Sequence, residues 1–450
     1  MTTVVASTEQ ERDGRPAAPT FDAADPFDGK GILDCVHCGL CLPTCPTYLT
    51  TGLEMASPRG RIYTMRAVEE GQANIGSVFV KHLDQCLGCL ACQTACPSGV
   101  PYGHLLESAR VQIERRYERP AKDLYWRRLI LSLFPYPERM RPVLSALYWY
   151  QRLGVSRLLR ASGLLPVLSS RLAHMEALLP PVPSHAARHP LPENTPAVGV
   201  RVGRVGFLTG CIQRFLLPGI NQATVRVLAA AGYEIAAPRE QGCCGALHLH
   251  AGDVKAARGL ARTMIETFER VQVSLVIVNA AGCGAAMKGY GHLFQDDPVW
   301  RERAEAFSSR VRDVSEILAG CSWDGALRPV PLMVTYHDAC HLAHAQEIRK
   351  EPRTILQRIP GLRLAELPES DLCCGSAGVY NLLQTEMAGQ LLRRKVERVR
   401  EIGASHLAIG NIGCLLQITL GLRQANVPVQ AVHPVELLDW ALHGMPAQPA

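Results

Sequence analysis

The sequence predicts an α+β chain of several domains: a helix-rich cysteine module, a helical connector and two duplicated α/β domains. Three observations carry this. One cysteine run, C-x2-C-x2-C-x3-C-P, occurs twice, as Cys35, Cys38, Cys41, Cys45-Pro46 and as Cys86, Cys89, Cys92, Cys96-Pro97. A cysteine-free stretch rich in arginine and aromatic residues follows. Beyond it, Cys211, Cys243-Cys244 and Cys283 recur as Cys340, Cys373-Cys374 and Cys414, at offsets of 129, 130 and 131. The expected division is a flexible N-terminus over 1–28, the cysteine module over 29–105, the connector over 106–179, a proline-rich linker over 180–198, and the two copies over 199–325 and 326–446.

The paired run is the signature of two [4Fe–4S] clusters. Three thiolates in one tight loop cap one face of a cubane, and the distant fourth cysteine reaches the other cluster. By this rule Cys35, Cys38, Cys41 and Cys96 hold one cluster, and Cys86, Cys89, Cys92 and Cys45 hold the other. Zinc knuckles take two ligand pairs rather than four spaced cysteines. Two clusters joined by shared runs make an electron relay.

The insert between the runs reads as helix. Ser57 suits an N-cap, Pro58 the first helical position and Gly71 the stop, with Ile62, Met65 and Val68 at helical spacing between them. A second helix is expected through Val78, Phe79 and Leu83 up to Cys86. The module is therefore expected to be a helix-rich ferredoxin domain.

The charge balance narrows the partners. With 20% charged residues, 47% hydrophobic residues and a net charge of +6, the chain reads as an ordinary globular protein. It has no block of like charges, no P-loop and no helix-turn-helix or RNA-stacking motif, so nucleic acid is not an expected partner. The first residues lack a basic start followed by an apolar core, and no run of about 18 apolar residues occurs. The cysteines, odd in number, fall mostly in metal-type motifs, which fits a reducing compartment and a cytoplasmic address.

Residues 105–179 read as helical throughout, with Arg115, Arg127, Arg141, Arg152, Arg157 and Arg160 among aromatics such as Trp126, Tyr148 and Trp149. Three roles are open to such a stretch: lying on a membrane surface, docking a partner subunit, or packing over the other domains with solvated arginines. The segment after it holds six prolines between Pro180 and Pro196 and is expected to be extended and exposed.

Each copy in the C-terminal half opens with a strand-like run, Val205–Leu208 or Met333–Tyr336, just before its first cysteine. Helix, short strand, Cys-Cys-Gly and a long helix follow. A further strand, Leu275–Val278 or His406–Ile409, precedes the last cysteine. Such alternation predicts parallel α/β units whose functional residues lie at the strand carboxyl ends. The sets Cys211, Cys243, Cys244, Cys283 and Cys340, Cys373, Cys374, Cys414 can thus each converge. Gly245 and Gly375 permit the turn that lets adjacent cysteines face one centre. Four thiolates suit zinc or a further iron–sulfur cluster, and buried cysteines packing as small hydrophobes are the third reading. Cys321 stands outside both patterns. His37, His337, His341 and His344 lie near cysteines but are expected to be structural.

These motifs, in this order, resemble the family that includes the iron–sulfur subunits of glycolate oxidase, lactate utilisation and anaerobic glycerol-3-phosphate dehydrogenase, and heterodisulfide reductase. The strings ILDCVHCGLCLPTCPTY (32–48), SPRGRIYTMRAVEEG (57–71), CPSGVPYGHLLE (96–107), AAGCGAAMKGYGHL (280–293), DLCCGSAGVY (371–380) and NIGC (411–414) are most similar to the glycolate oxidase branch. The resemblance implies an electron-transfer subunit that works with an FAD-containing subunit oxidising glycolate to glyoxylate and with a second flavin-type subunit. It implies delivery to membrane quinone and a peripheral place at the inner face of the cell membrane. Lactate-utilisation and glycerol-3-phosphate complexes are the alternatives. In heterodisulfide reductase relatives the pattern ends in C-x2-C, whereas here Ala286 and Gln417 stand at the last position. Five-thiolate chemistry is therefore not expected.

No G-x-G-x-x-G fingerprint opens a helix after a strand. Iron–sulfur centres carry single electrons, so hydride acceptance from a 2-hydroxy acid needs a flavin in another chain. A scaffold with purely structural metals is the competing class. Arg59 and Arg61 have two readings, tuning a cluster or receiving a partner, and capping local carbonyls and carboxylates.

Overall fold

The computed structural model describes residues 20–23, 26–184, 190–323 and 325–446. Of the N-terminal stretch expected to be flexible, residues 1–19 and 24–25 lie outside this set. Its end is packed: Phe21 stacks on Phe27 at 4.6 Å and meets the edge of Phe79 at 6.2 Å.

The cysteine module is built on helices Pro58–Glu69, Ser77–Asp84 and Tyr102–Arg116. Ser57 Oγ accepts from the Gly60 amide at 3.0 Å, Pro58 opens the helix and Gly71, at φ +71°, follows its end. The third helix crosses the expected boundary at 105. Its Leu105, Leu106, Ala109 and Ile113 complete the core formed by Met65, Val68 and Leu83.

Five helices make the connector: Ala121–Leu133, Pro137–Arg152, Val155–Ser162, Leu164–Leu168 and Ser170–Leu178. Two of its arginine side chains are structural. Arg119 and Arg127 reach Asp84 at 2.7 and 3.1 Å and tie the connector to the module. Burial works against the Asp84 carboxylate, yet these two guanidiniums hold its pKa below the ordinary range.

The first copy carries strands β1 (Asn194–Thr195), β2 (Gly203–Phe207), β3 (Tyr233–Ala236), β4 (Leu275–Val278) and β5 (Val311–Asp313), in the order β1-β3-β2-β4-β5. The second carries β6 (Met333–His337), β7 (Arg363–Ala365), β8 (His406–Ile409) and β9 (Gln430–Val432), in the order β7-β6-β8-β9. Every pairing is parallel except β1 with β3. The two central strands of each sheet therefore end side by side, and the cysteine loops leave from those ends. The proline-rich segment is less free than its composition suggests. Val182 is buried, and Asn194–Thr195 pair with Ile235 and Ala236 as an antiparallel edge. The short strands β5 and β9, three residues each, give too little periodicity to be read from sequence.

The two copies share one core, in which Val205, Phe207 and Ile277 join Tyr336, Leu407 and Ile409. His433 bridges them, its Nε2–H donating to the Asn279 carbonyl at 3.0 Å and its Nδ1 accepting from the Val435 amide at 3.1 Å. Burial lowers its pKa to about 4, although the bond to Asn279 opposes this. The unfolded chain takes up a proton near the ordinary histidine value of 6.5, and the folded chain does so only near 4. Stability is expected to fall as pH drops through this window, by about 3 kcal/mol at most. Thermal midpoints from pH 7 to 4 check this: His433→Asn, which keeps a capping side chain, should lose less than the parent.

Candidate metal centres

The two runs curl alike although their residues differ. Positive φ occurs at His37 and Gly39 (53° and 86°) and at Gly88 and Leu90 (both 62°), the same two places in each run. Each run has glycine at only one of them, so His37 and Leu90 take a backbone that side chains disfavour by about 1 kcal/mol or more. Repetition of that strain marks a loop wound around something. Cys35, Cys38, Cys41 and Cys96 line one small cavity, with Arg59 and Ile62 beside them. Cys45, Cys86, Cys89 and Cys92 line a second, with Thr47, Arg61 and Tyr102. Cys92 borders both, so the two cavities adjoin.

The surroundings suit anionic sulfur. Thr47 Oγ1 lies 3.3 Å from Cys45 Sγ, Tyr102 Oη lies 3.4 Å from Cys86 Sγ, and the Gly88 amide donates to Cys86 Sγ at 3.5 Å. Arg61 is 1% exposed and touches no carboxylate among the described residues. It donates to the His82 carbonyl at 2.8 Å and to Thr47 Oγ1 at 3.0 Å, with Nη1 4.0 Å from Cys45 Sγ. Burial opposes its charge, but the thiolates of Cys86 and Cys45 hold its pKa above the ordinary value. Burial likewise raises the Cys86 pKa, and Arg61 and Arg110 more than reverse this. A buried guanidinium that faces cysteine sulfur, with no carboxylate on it among the described residues, fits an anionic iron–sulfur centre. The two arginines thus divide the two readings: Arg59 caps locally, on Glu54 at 2.6 Å and the His37 carbonyl at 2.9 Å, while Arg61 faces the second site.

Arg61→Met is expected to lower the potential of the centre proposed at Cys45, Cys86, Cys89 and Cys92. It should also cost about 3–5 kcal/mol of stability. Arg61→Lys should restore part of the potential and less of the stability, since lysine lacks the fork that spans His82 and Thr47. An EPR-monitored redox titration with parallel denaturation reads both.

In the duplicated half each cysteine set forms one chain of thiols. Cys211 reaches Cys243, Cys243 reaches Cys244, and Cys244 reaches Cys283. Cys340, Cys373, Cys374 and Cys414 repeat this order. Gly245 and Gly375 take φ of 82° and 88°, and a Cβ there would meet the Ala257 carbonyl oxygen at 3.1 Å or that of Ala388 at 2.8 Å. Their neighbouring thiols and burial raise the pKa values of Cys211 and Cys340 well above the ordinary range. A metal ion bound by such a set takes thiolate ligands and releases protons on binding. Ala286 and Gln417, where relatives with a fifth cysteine carry it, are buried, and Gln417 Oε1 accepts from Asn381 at 2.9 Å.

The two sets are not equivalent. His337 lies with Cys374 and Cys414, their ligand atoms all within 4.8 Å of one another. Its Nδ1–H donates to the Ser370 carbonyl at 2.8 Å, and burial and Lys395 lower its pKa to about 3. Nε2 is thereby left as a bare lone pair, buried without a partner. Lys395, 2% exposed, donates to the Ser370 carbonyl at 3.3 Å. Leu208 and Ile265 occupy the matching positions in the first copy. His337 was visible in sequence only as one histidine among several, and Lys395 carried no motif. Cys321 is remote from both sets, its Sγ on the Ile317 carbonyl at 3.3 Å.

Three family models match the chain: a 4Fe-4S dicluster domain over residues 31–100, the linker region of the glycolate oxidase iron-sulfur subunit over 122–179, and a cysteine-rich domain over 205–288 and 334–419. The probable glycolate oxidase iron-sulfur subunit of Bacillus subtilis is 41% identical over 92% of this chain and 94% of its own length. The chain belongs to the glycolate oxidase iron–sulfur subunit family. The Escherichia coli glycolate oxidase iron-sulfur subunit is 32% identical over 91% of this chain and 93% of its own. Lactate utilization protein A of Exiguobacterium is 30% identical, but over 52% of this chain. Iron–sulfur chemistry in an oxidoreductase complex is thus the family setting for these sites.

Within that setting the dicluster domain is docked onto the second cysteine-rich domain. Cys89, Leu87 and Ala91 pack with Cys340, Cys373 and Tyr380. Tyr380 Oη donates to the Gln85 carbonyl at 3.0 Å, and His341 Nε2–H donates to that of Gly88 at 3.0 Å. Arg110 spans to the first copy, donating to the Cys86 carbonyl at 2.6 Å and to the His250 carbonyl at 3.0 Å. The first run lies at the surface instead: Cys38 is exposed, and Leu33, Val36 and Leu40 are each more than half exposed around it. Among the described residues no helix is long and apolar enough to cross a membrane.

Proposed function

We propose that this chain is the electron-transfer subunit of a glycolate dehydrogenase complex. An FAD-containing partner oxidises glycolate to glyoxylate, a second flavin-type subunit completes the assembly, and electrons leave toward membrane quinone at the cytoplasmic face. The observation that supports the relay is the unbroken order of sulfur sites. A surface run with apolar neighbours adjoins a buried run, which packs on a cysteine tetrad.

In this reading Leu33, Val36 and Leu40 form the donor face, and Cys35, Cys38, Cys41 and Cys96 hold the entry cluster. Cys86, Cys89, Cys92 and Cys45 hold the second, and Cys340, Cys373, Cys374 and Cys414 hold either a further iron–sulfur cluster that continues the path or a redox-inactive structural zinc beside it. The clusters, when bound, supply one-electron carriage. The chain's own residues fix their spacing, exclude water and place Arg61 against the anionic sulfur.

Anaerobically purified protein is expected to contain about eight irons and eight sulfides from the N-terminal module alone. It should accept electrons from a strong reductant yet oxidise no 2-hydroxy acid by itself. The flavoprotein that co-purifies with it should turn over glycolate in preference to D-lactate or glycerol 3-phosphate. Oxidation of any of these by the isolated chain would overturn the relay.

A further inference from the structure

A cavity of about 630 Å³ separates the two tetrads and lies within the range of small-ligand sites. Seven of the eight tetrad cysteines, all but Cys374, reach its wall. The connector helices close the rest with Leu133, Phe134, Met140, Leu144, Leu159 and Leu172.

Its chemistry excludes an acid. Among the described residues no lysine or arginine lines it, and the one carboxylate that does, Glu176, is taken by Arg160 at 2.8 Å. A carboxylate ligand would enter without a counter-charge, which a largely apolar cavity does not tolerate. Apart from Tyr150 and Glu176 on the connector helices, its polar groups gather at the tetrad end. Gln213 is 2% exposed, and its amide group donates to Asn221 at 2.6 Å and Asn279 at 2.8 Å. Gln213 lines the cavity, and its Oε1 is buried without a hydrogen-bond partner. The ligand that matches is neutral and mostly hydrocarbon, with hydroxyl or carbonyl oxygens at its deep end.

The outer side of the same helices indicates where it comes from. Leu153, Leu158 and Val167 are 70–85% exposed. Six arginines and no acidic residue lie between Glu138 and Glu176. A cationic surface with protruding apolar side chains suits an anionic bilayer face.

We propose that this cavity binds a lipid-soluble quinone, ring between the tetrads and tail toward connector helices that rest on the bilayer. The proposal rests on the relay reading above and adds the acceptor's site. Reduction there converts both carbonyl oxygens of the ring to hydroxyls. The two electrons come one at a time from the reduced donor flavoprotein, which is reoxidised, and the two protons come from water. The hydroquinone leaves by the path of entry.

The test uses the full chain with a photoactivatable azidoquinone and peptide mapping, which needs no turnover. Labelling is expected on the connector helices and tetrad loops. Leu172→Trp and Leu159→Trp, which add bulk at partly exposed positions, should lower it about tenfold. Val198→Trp, away from the cavity, should not. In the whole complex the same two variants should raise the KM for a short-tailed quinone while ferricyanide reduction stays at the parent rate. Labelling elsewhere, or undiminished labelling of the folded variants, overturns the site even if quinone is reduced. Cavity labelling without electron transfer from the donor overturns the relay and leaves the site standing.

Discussion

Replacing Cys45 by alanine is expected to abolish the centre of the other run and spare that of its own. The C-x2-C-x2-C-x3-C-P spacing sends the fourth cysteine of each run across to its partner. Cys45 Sγ lies in the pocket with Cys86, Cys89 and Cys92, held by Thr47 at 3.3 Å and facing Arg61. Cys35, Cys38 and Cys41 line the neighbouring pocket with Cys96. Removing Cys45 takes one sulfur in four from that site, the one that Arg61 Nη1 faces at 4.0 Å. The second centre should then be lost or converted to a three-iron form, with iron falling from about eight toward four or seven per chain. One set of reduced-state EPR signals should disappear, and the set belonging to Cys35, Cys38, Cys41 and Cys96 should persist at unchanged potential. Loss of the latter set instead would reverse the assignment. Electron flow from donor to acceptor should fall by orders of magnitude, because the buried site is the one packed on Cys340 and Cys373.

What sequence revealed and what it withheld follow from range. The runs, the insert helix capped by Ser57 and Pro58, and the strands β2, β4, β6 and β8 are local patterns, and local patterns were legible. The offsets near 130 gave the duplication and its four convergent thiols per copy. Tertiary placement was not legible. Nothing in the connector's composition says that Leu159 and Leu172 roof a cavity shared by both copies, because that depends on how the copies face each other across Asn279 and Asn411. The Gly282 amide donates to Asn411 Oδ1 at 3.1 Å, a contact over 129 residues that no periodicity records. Arg61 illustrates the same limit. Its motif, Pro58-Arg59-Gly60-Arg61, presented two equal arginines, and only helix phase turned one outward to Glu54 and the other inward to sulfur.

Cys373→Ser with Cys374→Ser, made in the intact complex, is expected to stop acceptor reduction while leaving the N-terminal clusters present and reducible. Both side chains belong to the thiol chain running from Cys340 to Cys414, and Cys373 also packs against Cys89. Serine keeps the size and hydrogen-bonding capacity of cysteine but is a poor ligand for soft metals, so packing should survive and coordination should not. His337 would remain with Cys414 alone of its two thiol neighbours, too few donors for a stable site. The readout therefore separates three cases. Loss of metal together with loss of quinone reduction, at unchanged ferredoxin-type EPR, supports a tetrad that carries the electron path. Loss of metal with full turnover assigns the tetrad a structural ion beside a path that bypasses it. Unchanged metal and unchanged turnover reduce Cys340, Cys373, Cys374 and Cys414 to packing. The companion change, Cys243→Ser with Cys244→Ser, should have a different effect, since the first tetrad lacks the imidazole of His337 and the amine of Lys395. Leucine and isoleucine stand in their places at 208 and 265, and the buried cation beside Cys211 and Cys243 is Arg214 instead.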